Sequence, residues 1–583
     1  MIGTVAPTRD GGLRGRERLR AASPLMLLAL AIVVVCAVLA IGPRMPLGAM
    51  YWDVYQFYDA AHRITSGQVP VRDFFVPVGP LDYYLFTALL MVFPSGPAVL
   101  LAQWSLLIVT APLMGVVAWD VAKRSRVLAF ALLVPFLFFA LLPFNTHEYY
   151  PFPAVDGFGT YNRHVCELLY VLVAAILFVR DRRVLTGVVT AVLGALFLLK
   201  MTGFLAGVAL AGYALITGRL TPRNALAGAA VLAAIFGGLQ LTTGIVGVYI
   251  DDVAALVGLN SALLVPRFLQ SASLNLGIAA AAGALACVLL WSDRRILRSA
   301  ARSAIELRST ARASAVLDHV GLWLLVVVAV GIFNETQNLG SQALIFLWPV
   351  CLRVFLRLRR VPRAPVVLVT ALALVTETAL PPVVNTIERA SRAIVGSARN
   401  TPLESRNLKQ LGAVNMRPEV AARVTDMLAF YPAHRATFEA LVNQRNEATP
   451  LLYSDIDFQA LYLVAVDRGI DAIRRLETRS GVRFDTVMTL SNYNPFPYLM
   501  DRAAPRDVSI AGDPIRTVPK PGVAELAAVA STDLVLYPTC PPTVMSASLL
   551  ALYSDALKGH RRIELSDCYD AFVNPRFTSR LDG

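Results

Sequence analysis

The sequence predicts a polytopic α-helical membrane protein of about eleven crossings, followed by a C-terminal extracytoplasmic α/β domain. Three observations predict it. Hydrophobic residues make up 56% of the 583 positions and charged residues only 16%. The mean hydropathy of +0.58 is a value that a soluble chain of this size seldom reaches. Apolar runs of bilayer-spanning length recur along the first two thirds, and basic residues gather in short clusters between them. The net charge of +13 is therefore a membrane-topology signal and not a nucleic-acid one.

Taken in order, residues 1–23 form a basic N-terminus with five Arg in "RDGGLRGRERLR". The run 24–43 that follows is too long for a secretory h-region and lacks a convincing cleavage site. It reads as a retained first span with the N-terminus in the cytoplasm. Basic clusters recur at "KRSR" (123–126), "RDRR" (180–183), "GRLTPR" (218–223), "DRRILRSAARSAIELRSTAR" (293–312) and "RLRRVPR" (357–363). Each is expected on the cytoplasmic side.

This parity places spans near 24–43, 97–120, 127–144, 164–180, 184–199, 202–218, 224–245, 274–292, 318–333, 340–357 and 364–382. The run 80–94, "PLDYYLFTALLMVFP", is short and bounded by prolines. A full crossing there would break the parity, so it reads as a helix in the outer interface, where Tyr83 and Tyr84 suit the headgroup layer. The membrane domain, 24–383, thus carries outward loops at 44–96, 145–163 and 246–273. An odd number of spans leaves 384–583 outside, on the outer side of the cytoplasmic (inner) membrane.

That tail is long enough for an independent domain. β-like runs at 450–457, 484–491, 533–538 and 561–567 alternate with helical stretches such as "FQALYLVAVDRGIDAIRRLE", the pattern of a small α/β unit. Residues 385–450 read as mostly helical. Of the six cysteines, Cys36, Cys166, Cys287 and Cys351 fall in or beside spans and read as packing residues. Cys540 and Cys568 each follow an expected strand in the outer domain, where a disulfide is chemically permitted. No C-x-x-C, H-E-x-x-H, P-loop or G-x-G-x-x-G occurs, so ATP hydrolysis and zinc chemistry receive no support.

The first outward loop places Asp53, Asp59, Asp73 and Asp82 among a dense set of aromatic residues. A carboxylate close to hydrocarbon is expensive and usually has a partner or a task. On a helix, Asp53, Phe57 and Ala60 or Ala61 share one face. Asp53 serves either as an N-cap for a helix running to about Thr65 or as a catalytic group in a groove at the bilayer surface. The residues alone leave both readings open.

These residues resemble the opening of the GT-C glycosyltransferases, the superfamily that includes the bacterial lipid A aminoarabinose transferases and the protein O-mannosyltransferases. The match rests on Asp53, Phe57, Ala60, Gly67 and Pro70, followed by Gly79, Pro80, Tyr83 and Tyr84 of "GPLDYYL". It covers roughly the first 200 residues. Val54 stands where the aminoarabinose transferases have a Glu. The resemblance implies transfer of a sugar from a polyprenyl-phosphate-linked donor to a glycan, lipid or protein acceptor outside the cytoplasmic membrane. Asp53 would be the catalytic base or acceptor orienter, and Asp156 in "AVDGFGTYNRH" the second acid.

Such a transfer needs a base, a group to hold the departing phosphate, and protection from water. Lys200, at the outer end of two apolar runs in "LFLLKMTGFLAG", suits the phosphate, although a lysine there also suits snorkelling to headgroups. Arg163 and His164 in "TYNRHV" are further phosphate candidates, or Arg163 simply neutralises Asp156. Asp73, Tyr55, Tyr161, Asn334 and Gln337 are candidate contacts to sugar or acceptor, the last two in "NETQN". The aromatic residues of this face suit an interfacial belt, sugar stacking, or both. In the tail, Tyr493, Phe496 and Tyr498 suit either stacking or a core.

No cofactor is required by any motif. A divalent cation is compatible with Asp251 and Asp252, or with His147 and Glu148 beside Asp156, and these pairs equally suit solvated loops. The competing function is a transporter or flippase of a lipid-linked substrate, which places ionisable groups at mid-depth and uses broken, paired repeats. Here the acids gather at one face of the membrane, which favours an enzyme over a transporter or a mere anchor.

Overall fold

The computed structural model describes residues 10–146, 154–336, 342–448, 452–514 and 516–581. In chain order the membrane half consists of α1 (Asp10–Ile41), α2 (Trp52–Thr65), α3 (Leu81–Val92), α4 (Ala98–Trp104), α5 (Leu107–Ala122) and α6 (Arg126–Leu141). There follow α7 (Thr160–Phe178), α8 (Arg182–Leu199), α9 (Met201–Ile216), α10 (Pro222–Thr243), α11 (Ile245–Asn260) and α12 (Leu264–Leu274). The last group is α13 (Leu276–Ser292), α14 (Arg294–Glu306), α15 (Thr310–Leu317), α16 (Val320–Asn334), α17 (Trp348–Arg360) and α18 (Pro365–Ser397).

The protein is a mostly helical, multi-pass membrane protein. Among the described residues, seven helices are long and apolar enough to cross a bilayer, or nine if two bent pairs each form one span. Among the described residues the eleven expected runs fall mainly on helices, but α6 and α9 have 16 residues each and α17 only 13, which lowers the count. α17 is short because it starts only after the 3-10 turn Ile345–Leu347, and it runs past the expected end at 357 to Arg360. The segment 246–273, expected as an outward loop, is helical: α11 carries Asp251 and Asp252, and Ile245–Leu274 is itself one of the seven candidate spans.

Local chemistry sets the helix starts inside the basic clusters. Ser125 accepts from the Leu128 amide, Asp181 from Arg183 and Val184, and Thr221 from Asn224 with Pro222 at the first helical position. Each such cap is worth about 1 kcal/mol. α7 is the axis of the membrane half, buried along nearly its whole length, with a backbone that starts at the left-handed residue Gly159 (φ +63°).

The tail contains α19 (Pro418–Ala433), α20 (Arg435–Asn443) and the long α21 (Ile456–Ser480). Its sheet comprises β4 (Val487–Thr489), β5 (Leu534–Pro538), β6 (Arg561–Ser566) and β7 (Tyr569–Val573), in the order β4–β5–β7–β6. β4 and β5 run parallel, and the other pairs are antiparallel. The stretch expected as a strand at 450–457 instead forms a 3-10 turn, Leu452–Ser454, leading into α21. Strand β7 was not anticipated. Cys540 and Cys568 form a disulfide.

A second, three-stranded sheet joins the halves. β1 (Met45–Pro46) pairs in parallel with β3 (Val414–Met416), which pairs antiparallel with β2 (Thr401–Pro402). α18 itself runs past the expected boundary at 383 to Ser397. The tail therefore packs directly on the segment that follows α1.

Candidate active site

The N-terminal turn of α2, which carries Asp53, is clamped from two sides. On the tail side, the Met50 amide donates to Ser454 O (2.8 Å), the Trp52 amide to Gln459 Oε1 (2.8 Å), and the Tyr51 hydroxyl to Leu411 O (3.1 Å). The Trp52 ring stacks on Tyr462 at 5.9 Å. On the membrane side lies the loop 154–159. A methyl group added at Gly48 would lie 1.9 Å from Val155 O, and one at Gly157 would lie 2.8 Å from Met50 O. Only glycine permits that approach.

Asp53 is partly buried, and its Oδ2 accepts from the Gly159 amide at 3.3 Å. The side chain does not cap its own helix. Burial pushes the carboxyl from its ordinary 3.8 up to about 7, and the Gly159 amide only partly opposes that. Asp156 belongs to the same loop. Its carboxylate accepts from Arg389 Nη2 and the Asn145 amide, both at 2.8 Å, and its carbonyl from Gln103 Nε2 at 2.5 Å. Burial raises the Asp156 carboxyl, and Arg389 opposes it. The two acids thus sit on one loop–helix junction, but Asp156 already has a cationic partner.

Lys200 reaches the same region by a different route. The Gly79 amide donates to Leu199 O at 2.8 Å, and a methyl at Gly79 would lie 2.0 Å from Leu198 O. The glycine of "GPLDYYL" therefore seats the start of α3 against the end of α8, next to Lys200. The ammonium is buried, donates to Asn162 Oδ1, and lies 5.3 Å from the Tyr161 ring centroid. It also feels the charge of Glu335. Tyr83, on α3, is within electrostatic reach of Tyr161, Asp82 and Asp53. Tyr83 thus feels both Asp53 and Tyr161, the ring beside which the Lys200 ammonium lies.

Other expected contacts are placed differently. The Arg163 guanidinium is spent on Glu167 Oε1 (3.3 Å) and on carbonyls of Phe139, Leu142 (2.5 Å) and Phe144 (3.3 Å), where it caps the end of α6. It is no open phosphate clamp. His164 is fully buried, with Nδ1 2.8 Å from Asp82 Oδ1 and Nε2 3.1 Å from Gln103 O. Both nitrogens face acceptors, so His164 is a structural partner of Asp82. Asp73 is held by Arg72 Nη2 (3.0 Å) and the Val69 amide (2.8 Å), at the seam with the tail. That pairing with Arg72 lowers its carboxyl.

Tyr55 is buried in an aromatic cluster, 5.3 Å from Tyr493 and 5.8 Å from Tyr51, and is closed to a sugar. Tyr493 and Phe496 are core residues. Asn334 is buried beside Cys166, its Nδ2 3.9 Å from Sγ. Gln337, His147 and Glu148 lie outside the described residues. Among the described residues no cluster of three His, Cys, Asp or Glu side chains could hold a metal ion. The sequence reading missed Asn162, Gly159 and Arg389, whose roles arise from long-range approach and leave no local signal.

No family model matches the chain, and no curated protein matches it significantly. Among solved structures, ArnT from Cupriavidus metallidurans in the apo state is similar at a TM-score of 0.40 and 10% identity, over 94% of this chain and 98% of that one. The same protein bound to undecaprenyl phosphate gives a TM-score of 0.37 and 12% identity over the same shares, 94% and 98%. The Archaeoglobus fulgidus oligosaccharyltransferase in the apo form gives 0.27 and 11%, over 93% of this chain and 73% of that one.

Proposed function

We propose that the chain is an integral-membrane glycosyltransferase that moves a sugar from a polyprenyl-phosphate-linked donor to a glycan, lipid or protein acceptor on the outer face of the cytoplasmic membrane. What supports this reading is that Asp53 and Tyr161, whose ring centroid lies 5.3 Å from the Lys200 ammonium, are both within electrostatic reach of Tyr83. A carboxyl titrating near neutrality suits a general base, and a buried ammonium suits a phosphate. The resemblance of the opening motif supports the same reaction.

In the reaction, the acceptor hydroxyl oxygen attacks the anomeric carbon as Asp53 takes its proton. The bond from that carbon to the phosphate oxygen breaks, and polyprenyl phosphate leaves with the electron pair. Lys200 balances the charge that grows on the leaving oxygen. Asp156, tied to Arg389, positions the loop that carries Gly159 and so aims Asp53.

The test is transfer by the purified chain in lipid nanodiscs, supplied with a panel of polyprenyl-phosphate sugars. Asp53→Asn should lose transfer by about 10²–10⁴-fold with folding and donor binding retained. Full activity in a folded variant would remove Asp53 as the base. Lys200→Ala should weaken donor affinity, and unchanged affinity would make Lys200 a snorkelling residue. Movement of intact donor across the bilayer without any transfer would favour a flippase.

A further inference from the structure

Asn162 lies in the first turn of α7, is 2% exposed, and leaves its Nδ2 without a hydrogen-bond partner. The orientation of this amide is fixed by chemistry. Lys200 only donates, so the Asn162 oxygen must face it and the NH2 must point the other way. It points across the start of the helix: a methyl group at Gly159 would lie 3.3 Å from Nδ2. Apart from chain neighbours and the helix's own backbone, that methyl would be within 4 Å of nothing else among the described residues. Gly159 thus leaves room, at the point where a side chain would begin, beside a buried donor and the positive pole of a 19-residue helix.

An unpaired buried amide donor costs about 1–3 kcal/mol if nothing ever fills the position. Its natural complement at a helix N-terminus is an anion, because the helix dipole is positive there; the Gly159 amide already holds Asp53 Oδ2 and the Asn162 and Arg163 amides hold Gly159 O, so the attraction comes from the dipole and from Nδ2. We infer that the space over Gly159 binds a tetrahedral phosphate, with Asn162 Nδ2 donating to one oxygen and the start of α7 facing the others. This rests on the reading of function above and deepens it. Lys200 orients Asn162 and supplies the balancing charge from behind. Asp53, on the Gly159 amide, then flanks the sugar carbon attached to that phosphate. Glycine at 159 serves twice, by adopting the left-handed conformation and by leaving the space open.

The experiment measures binding to the full chain in nanodiscs, with undecaprenyl phosphate in the bilayer and inorganic phosphate in the buffer as separate probes. Wild type is compared with Asn162→Asp, which keeps the acceptor for Lys200 and replaces the donor by a carboxylate, and with Gly159→Ala, which adds the methyl. Undecaprenyl phosphate binding should weaken about tenfold to a hundredfold in Asn162→Asp, with the unfolding temperature unchanged. Weakened inorganic phosphate binding alone would assign the site to free phosphate and overturn the donor assignment. Unchanged affinity for both probes in both variants would overturn the inference. If Asp53→Asn still abolished transfer in that case, the reading of function would stand without it. Wild type that binds neither probe would reject both.

Discussion

Asp53 ties a measurable pH dependence to one residue. Its carboxyl titrates at about 7, against 3.8 ordinarily, because burial disfavours the anion and a single backbone amide supports it. As a base it must be ionised. From that value, about half of the molecules are competent at pH 7 and about 1% at pH 5, so transfer should fall about tenfold per unit below neutrality. The proposed donor is a phosphodiester, which has no proton to lose in this range and cannot mimic the profile. Stability should run the opposite way. The folded chain keeps the Asp53 proton between pH 4 and 7 where the unfolded chain has released it, so stability is lost as pH rises through that window. Full burial would set the loss near 4 kcal/mol, and solvent contact at this partly exposed side chain reduces it to about 1–2 kcal/mol. Asp53→Asn should therefore unfold at a higher temperature than wild type at pH 8 and at the same temperature at pH 4. A flat rate profile from pH 5 to 8, or a variant no more stable at pH 8, would refute the assignment of a neutral-range carboxyl.

Three further outcomes are expected. Arg389→Met strands the Asp156 carboxylate, now left with the Asn145 amide, and should cost about 3–5 kcal/mol in thermal unfolding, with transfer reduced as the Gly159 loop shifts. Gly48→Ala drives a methyl to 1.9 Å from Val155 O; separating α2 from the loop by even a fraction of that overlap should lower transfer about 10²-fold, read in the same nanodisc assay. Cys540→Ser opens a link spanning 28 residues and should destabilise the tail by about 2–4 kcal/mol, seen as an earlier unfolding transition by calorimetry.

How far the site was legible depends on distance along the chain. Asp53 stands out because an acid follows directly on an apolar run, and Lys200 because a charge interrupts one. Their meeting was not legible, since it depends on Gly79 pressing against the carbonyl of Leu198 about 120 residues away. Arg163 and His164 show the same limit at short range. Their position at a helix start was readable, but successive residues on a helix point about 100° apart, so one faces α6 and the other α3. In the tail, the acid pair of "YSDID" interrupts what looked like a strand: Asp455 accepts from the Ile456 amide and starts α21 instead. Strand β7 escaped notice because "YDAFV" is buried on both faces and does not alternate. The membrane helices were the most readable part, their apolar runs surviving even where the helices proved too short to span.

The distribution of charge in the membrane half separates structural acids from a working one. Asp59 pairs with Arg63 at 2.9 Å, Asp82 with His164 at 2.8 Å, Glu167 with Arg163 at 3.3 Å, and Asp156 with Arg389 at 2.8 Å. Each pairing follows from the cost of holding a charge away from water, which a fold avoids by bringing the opposite charge with it. Asp53 breaks that pattern, holding one amide at 3.3 Å and, among the described residues, no cation; Asp252 on α11, whose buried Oδ2 has no hydrogen-bond partner, is a second exception. A carboxylate left so lightly compensated destabilises the fold, and nothing in the packing of α2 needs it, since Asn would accept the same Gly159 hydrogen bond. What Asn would not do is take up a proton near neutral pH. The cost is intelligible if that proton is the purpose, with Lys200, in the proposed reaction, supplying the opposite charge for the group that leaves.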